Sequence, residues 1–226
     1  MRIDLSTCWD LIHGAARGEG DSRRLFAERY QRVVRGYLEE RWRRGPLAGE
    51  IEDAMQEVFV DCLRADGALQ RADQDRGEFR GFLFGIVRTV ALRFERARGR
   101  ASARHVDGGS VVESFVGDEA AASRIFDREW ALAMLRLAMD IHRQRASELG
   151  PEHARRVELL RLRFEDGLPI RAIAVRWQCD PAALHHEFAR ARRDFKQALA
   201  EAMGLGPFVT AVRLDTEVAM LWQALR

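Results

Sequence analysis

Apolar residues recur along most of this chain at intervals of three and four, the spacing that lines one face of an α-helix. Ser6 or Thr7 is placed to cap a first helix with Trp9, Ile12 and Ala16 inward, and GEG at 18–20 ends it. A second helix starts at Asp21 or Ser22 and buries Phe26, Tyr30, Val33, Val34, Tyr37 and Leu38. RRGPLAG (43–49) predicts a turn. IEDAMQEVFVDCLR (51–64) then puts Ile51, Met55, Val58, Phe59, Cys62 and Leu63 on one side of a third helix. A polar loop, 65–78, leads to a fourth helix from about Phe79 to Arg98, with Phe79, Phe82, Leu83, Ile86, Val90 and Phe94 as its core stripe.

The period stops at GRASARHVDGGSVVESFVGDEAAAS (99–123), which is rich in Gly, Ser and Ala. Such a composition predicts a flexible linker, 99–126. Helical spacing returns near Asp127 with Trp130, Met134, Leu137 and Ile141, is punctuated by Gly150–Pro151, and continues in shorter helices to Met203. The tail, 204–226, carries Leu214, Val218, Leu221, Trp222 and Leu225 at helical spacing. No alternating strand pattern persists and no fixed repeat is present. The expected fold is all-α, with helical domains at 1–98 and 127–203, the linker between them and a helical tail.

Composition narrows the function. The 226 residues suffice for one large or two small domains. A net charge of +2 gives no overall basic surface, so any polyanion site must be local. Lys196 is the single lysine, which leaves no GxxxxGK[ST] phosphate loop. Cys8, Cys62 and Cys179 are far apart and suggest neither disulfides nor a CxxC metal pair. The histidines His13, His105, His142 and His153 are scattered. The adjacent His185 and His186 point about 100° apart on a helix, a poor arrangement for one metal. HExxH and GxSxG are both missing. The expectation is a protein without catalytic residues, metal or cofactor. Apolar runs are too short to span a bilayer, and MRIDLSTCWD has no signal-peptide core, so membrane insertion is not expected and a cytoplasmic location is.

Three charged faces carry the candidate chemistry. Asp53, Glu57 and Asp61 fall at i, i+4 and i+8 on one face of the third helix. Like charges at that spacing cost roughly a few tenths of a kcal/mol per pair, so something must compensate. On the fourth helix Arg80, Arg88, Arg93, Arg96, Arg98 and Arg100 stand against a lone acid, Glu95, and suit phosphate contacts. Finally, LPIRAIAVRWQCDPAALHHEFARARRDFKQAL (168–199) has the form of a helix-turn-helix. A short helix carries Ile170, Ile173, Ala174 and Trp177. Asp180 caps a second one from Pro181, which buries Leu184, Phe188, Ala191 and Phe195. His185, His186, Arg190, Arg193 and Lys196 lie on its opposite side, where a helix inserted in the major groove meets DNA.

Taken in order, IEDAMQEVFVDCLR, FRGFLFGIVRTVALRFERARGR, a linker and a helix-turn-helix ending FARARRDF resemble the sigma-70 family of RNA polymerase sigma factors. The likeness is greatest to the small extracytoplasmic-function group, which keeps only regions 2 and 4. The resemblance covers about residues 6–100 and 127–200. It implies that Asp53, Gln56, Glu57 and Asp61 dock on the β′ clamp helices of core RNA polymerase. It implies that Arg80, Phe82, Arg88, Arg93 and Arg96 meet the −10 promoter element. His185, His186, Arg190, Arg193 and Lys196 would then meet the −35 element, near the β flap. Glu187 stands where that family commonly has a basic residue. Promoter DNA and core polymerase are the implied partners, with room for an anti-sigma factor. The alternative kept open is a helix-turn-helix regulator that never engages polymerase.

Overall fold

The computed structural model describes residues 8–43, 45–74, 78–105, 119–205 and 210–225. Among them the chain is all-α, as its periodicity predicts. The helices are α1 (Cys8–Arg17), α2 (Gly20–Trp42), α3 (Ile51–Leu63), α4 (Phe79–His105), α5 (Glu119–Leu149), α6 (Pro151–Phe164), α7 (Ile170–Arg176), α8 (Pro181–Ala202) and α9 (Ala211–Ala224). Short 3-10 turns precede α3 and occupy Ala68–Arg71. The described chain divides by its contacts into two units, 8–133 with 215–225, and 134–205 with 210–214. None of its helices is long and apolar enough to cross a membrane.

In the amino-terminal unit, α1 packs on α2, α2 on α3 and α3 on α4. The stripe of α2 is buried as expected, through Phe26, Tyr30, Val33, Val34, Tyr37 and Leu38, and extends to Trp42. α1 turns Leu11, Ile12 and Ala15 inward, while Trp9 and Ala16 are half-buried; its expected caps Ser6 and Thr7 lie outside the described residues. Phe79, the first residue of α4, joins this core through ring contacts with Phe26 and Tyr30, centroids 6.0 and 5.2 Å apart. Arg23 closes two helix ends at once. Its Nη2 donates to the Leu63 carbonyl (2.9 Å) and its Nε to that of Ala15 (3.4 Å), which also accepts from Gly18 N, so one cation meets the carbonyl ends of α3 and α1.

A buried acid sits on the far side of this unit. Glu95 of α4 accepts bonds from Arg41 Nε (2.6 Å), Arg41 Nη2 (3.0 Å) and Trp42 Nε1 (2.9 Å). The one acid in the arginine-rich helix is therefore part of the core, bracing α4 against the end of α2. Three donors to one buried carboxylate offset the cost of taking it out of water.

Two stretches differ from the sequence expectation. The segment 65–78 is not simply a polar loop. Ala68 and Leu69 are buried, and Gln70 Nε2 donates to the Ala16 carbonyl (2.5 Å) at the end of α1. The linker expected at 99–126 is flanked by more helix than its composition suggested. α4 continues to His105 and α5 begins at Glu119, eight residues before Asp127; residues 106–118 lie outside the described part. The first half of α5 belongs to the amino-terminal unit. Phe126 is fully buried there against Tyr37 and Phe84, and Trp130 stacks on Tyr30 at 5.6 Å. Burying a ring of that size contributes roughly 2–3 kcal/mol. The contact boundary falls between Ala133 and Met134, inside α5, not at 126.

The carboxy-terminal unit has its own core of Leu159, Leu162, Ile170, Ile173, Ala174 and Leu184, with Leu168, Trp177, Cys179 and Phe188 around it. Gly150 and Gly167, at φ 99° and 70°, end α5 and α6 in the left-handed conformation that favours glycine. Residues 177–180 then join α7 to α8. Pro169 is the residue before α7, with Ile170 opening the helix.

Candidate functional site

The acidic face of α3 is built by local helix geometry. Ala54, Met55, Val58 and Cys62 are buried, which leaves Asp53 and Gln56 exposed and Glu57 and Asp61 half-buried. The four residues expected to form one surface do lie on contiguous turns, but they are not electrically alike. Arg93 of α4 places Nη1 2.9 Å from Glu57 Oε1 and Nη2 2.5 Å from Asp61 Oδ2. That guanidinium compensates the i, i+4 repulsion from within the chain. Asp53 has no ion-pair partner among the described residues. One turn on, Val60 is 60% exposed, an apolar residue that the sequence reading passed over. The exposed patch is thus Asp53, Gln56 and Val60, bordered by Glu52, which pairs with Arg35 (2.5 Å). Cys62, beneath it, is inert: burial, with Asp61 adding to it, pushes the thiol up to about 12.

The arginines of α4 divide into two sets. Arg80 pairs with Asp127 (3.0 Å), Arg88 with Glu119 (3.5 Å) and Arg93 with the α3 acids. Arg80 and Arg88 are eight residues apart on α4, and Glu119 and Asp127 are eight apart on α5. Two antiparallel helices therefore match their charges in register. Arg96, Arg98 and Arg100 are exposed and have no ion-pair partner among the described residues. Of the five α4 residues expected at the −10 element, Arg96 is the open cation; Arg80, Arg88 and Arg93 each hold a carboxylate. Phe82 is half-buried with its ring 5.9 Å from Phe79, so part of its side chain remains accessible. The sequence does not signal these pairs, because Glu119 falls in the stretch whose composition predicts a linker and Asp127 opens the helical domain expected after it.

On α8, Asp180 Oδ2 accepts from Ala183 N (2.9 Å) and Pro181 occupies the first turn, which sets where this helix begins. Leu184 and Ala191 are buried, while Phe188 and Phe195 are half-buried. His185, His186, Arg190 and Arg193 are exposed, and Lys196 is half-buried. Glu187 is not a loose carboxylate. Its Oε2 accepts from Arg156 Nε (3.0 Å) and its Oε1 from Arg190 Nη1 (2.9 Å). The bond from Arg156 holds its carboxyl below the usual carboxylate value, with Arg190 adding to the effect and partial burial opposing it. Arg156 lies on α6, and its Nη1 also donates to Asp194 Oδ2 (3.1 Å). Nothing local in the sequence signals these pairs, because the partners are 31 and 38 residues apart. Among the described residues, no group of three or more His, Cys, Asp or Glu side chains is disposed to hold a metal ion.

Compared with known protein families, residues 26–101 match the model of Sigma-70 region 2. That stretch runs from Phe26 in α2, through the acidic face of α3, into the arginine-rich end of α4. No curated protein matches the chain.

Proposed function

We propose that this chain is a sigma factor of the extracytoplasmic-function type, which carries no chemistry of its own and directs core RNA polymerase to promoters. The observation that carries this reading is the match of residues 26–101 to Sigma-70 region 2, whose α3 presents an exposed Asp53–Gln56–Val60 surface. On this reading α3 docks on the β′ clamp helices. Glu57 and Asp61 contribute through Arg93, which fixes them in place before the partner arrives.

The −10 element meets α4. Arg96, with Arg98 and Arg100 beyond it, supplies phosphate contacts, and Phe82 supplies a surface on which an unpaired base stacks. Arg80, Arg88 and Arg93 act mainly as structural pairs that keep α4 aligned with α5 and α3. In the carboxy-terminal unit, α7 and α8 form a helix-turn-helix that meets the −35 element through His185, His186, Arg190, Arg193 and Lys196. A domain for each promoter element, expected at 1–98 and 127–203, is supported by the two contact units, except that 127–133 in the first half of α5 go with the first unit. The protein works where polymerase is, in the cytoplasm, and an anti-sigma factor has the same surfaces to block.

Run-off transcription with purified core polymerase and a library of promoter fragments tests this. Promoter-specific transcripts that depend on the added chain are expected. Salt-sensitive duplex binding without any such transcripts would overturn it in favour of a regulator that does not engage polymerase.

A further inference from the structure

We propose that Arg156 is a positioning residue for the DNA-facing surface of α8, acting through Glu187 to aim Arg190. The proposal rests on the reading of α7 and α8 as a DNA-binding helix-turn-helix. Its basis is the geometry of one guanidinium. Arg156 is nearly enclosed, its side chain 12% exposed, and its fork reaches Glu187 at 3.0 Å and Asp194 at 3.1 Å. Those carboxylates are seven residues apart, two turns of α8. A planar fork spanning two turns fixes both the rotation and the axial position of the helix against α6, which the point charge of a lysine does less well.

Glu187 occupies the edge of the face that carries His186 and Arg190. Left free, its carboxylate would repel the phosphates that those residues approach. Arg156 draws Oε2 back toward α6, and Oε1 then holds Arg190 by one nitrogen. The remaining donors of Arg190 stay available for a base edge or a phosphate. An acid at the edge of a basic face thereby becomes the element that orients it. Register on DNA depends on such fixed contacts, since phosphate bonds place the helix and base contacts specify the sequence.

The test uses the full chain and a duplex selected from a random pool by the wild type, with a scrambled duplex as reference, in a salt series. Arg156→Gln is expected to lower the ratio of selected to scrambled affinity about tenfold, the lower range of one base contact. It also makes the slope of log affinity against log salt shallower by about one, as the freed Glu187 cancels a phosphate contact. Arg156→Gln combined with Glu187→Gln restores the salt slope, which a purely structural clamp would not do. Arg156→Lys, which retains the charge and loses the fork, keeps the slope and loses the ratio, and it carries the test if the glutamine variant does not fold. A folded Arg156→Gln chain with unchanged ratio and slope, or a double variant no better than the single one, overturns the proposal. A wild type that selects no duplex overturns the DNA-binding reading of α7–α8, and this proposal with it.

Discussion

The Arg93 guanidinium of α4 lies 2.9 Å from the Glu57 carboxylate of α3, with Asp61 held by its second nitrogen. This pair answers a question that the sequence raises, why three acids share one face of a helix. Two of them are compensated internally and one, Asp53, is left open.

Arg93→Gln should destabilise the chain by less than about 1 kcal/mol, because both partners are partly exposed and such pairs contribute little. The loss should shrink in high salt as the exposed carboxylates are screened. Urea unfolding at low and high ionic strength measures both.

Glu95 should behave in the opposite way. Its carboxylate is buried and holds three donors from Arg41 and Trp42. Glu95→Ala leaves a largely buried cation and an indole N–H without a partner and should cost about 3–5 kcal/mol. The urea midpoint should fall sharply, with little response to salt.

Two glycines make a matched pair. A Cβ at Gly67 would stand 2.6 Å from the Cys62 carbonyl oxygen and 2.7 Å from that of Arg64, and backbone cannot step aside cheaply. Gly67→Ala should destabilise by about 1–3 kcal/mol. Gly85, within α4, has open space around the same position, so Gly85→Ala should stabilise by about 0.5–1 kcal/mol. Thermal or urea unfolding of the two variants checks the sign.

His142 gives the carboxy-terminal unit a dependence on pH. Burial pushes its pKa below the ordinary 6.5; Asp194 opposes this, while Arg145, His153 and Arg143 reinforce it. Its Nδ1 has no hydrogen-bond partner among the described residues. The unfolded chain therefore binds the proton more readily than the folded one. Stability should fall as pH drops below 6.5, by at most about 1.4 kcal/mol per pH unit from this group. His142→Leu should flatten the profile between pH 6.5 and about 5, above the range where carboxylates dominate. Unfolding midpoints across that window measure the difference.

What the sequence disclosed and what it concealed follow from the range of the interactions involved. The buried face of α2 and the start of α8 at Asp180–Pro181 were legible, because period and capping are local. The start of α5 was not. GDEAAASR has helix-forming alanines but no apolar period before Phe126, so composition alone suggested a linker. The acidic and basic faces were legible as faces, whereas their internal pairing was not. Arg93 meets Asp61 across 32 residues, and Arg156 meets Asp194 across 38. No pattern along one helix shows which arginines are taken by a neighbouring helix and which remain open.

The central claim is that the α3 face engages core RNA polymerase, and Asp53 tests it most directly. Asp53 is exposed and unpaired among the described residues, so Asp53→Arg should leave the unfolding midpoint of the chain unchanged. Affinity for purified core polymerase, measured by fluorescence anisotropy of the labelled full chain, should fall about tenfold or more. A folded Asp53→Arg chain that binds core polymerase as tightly as the wild type would contradict the account.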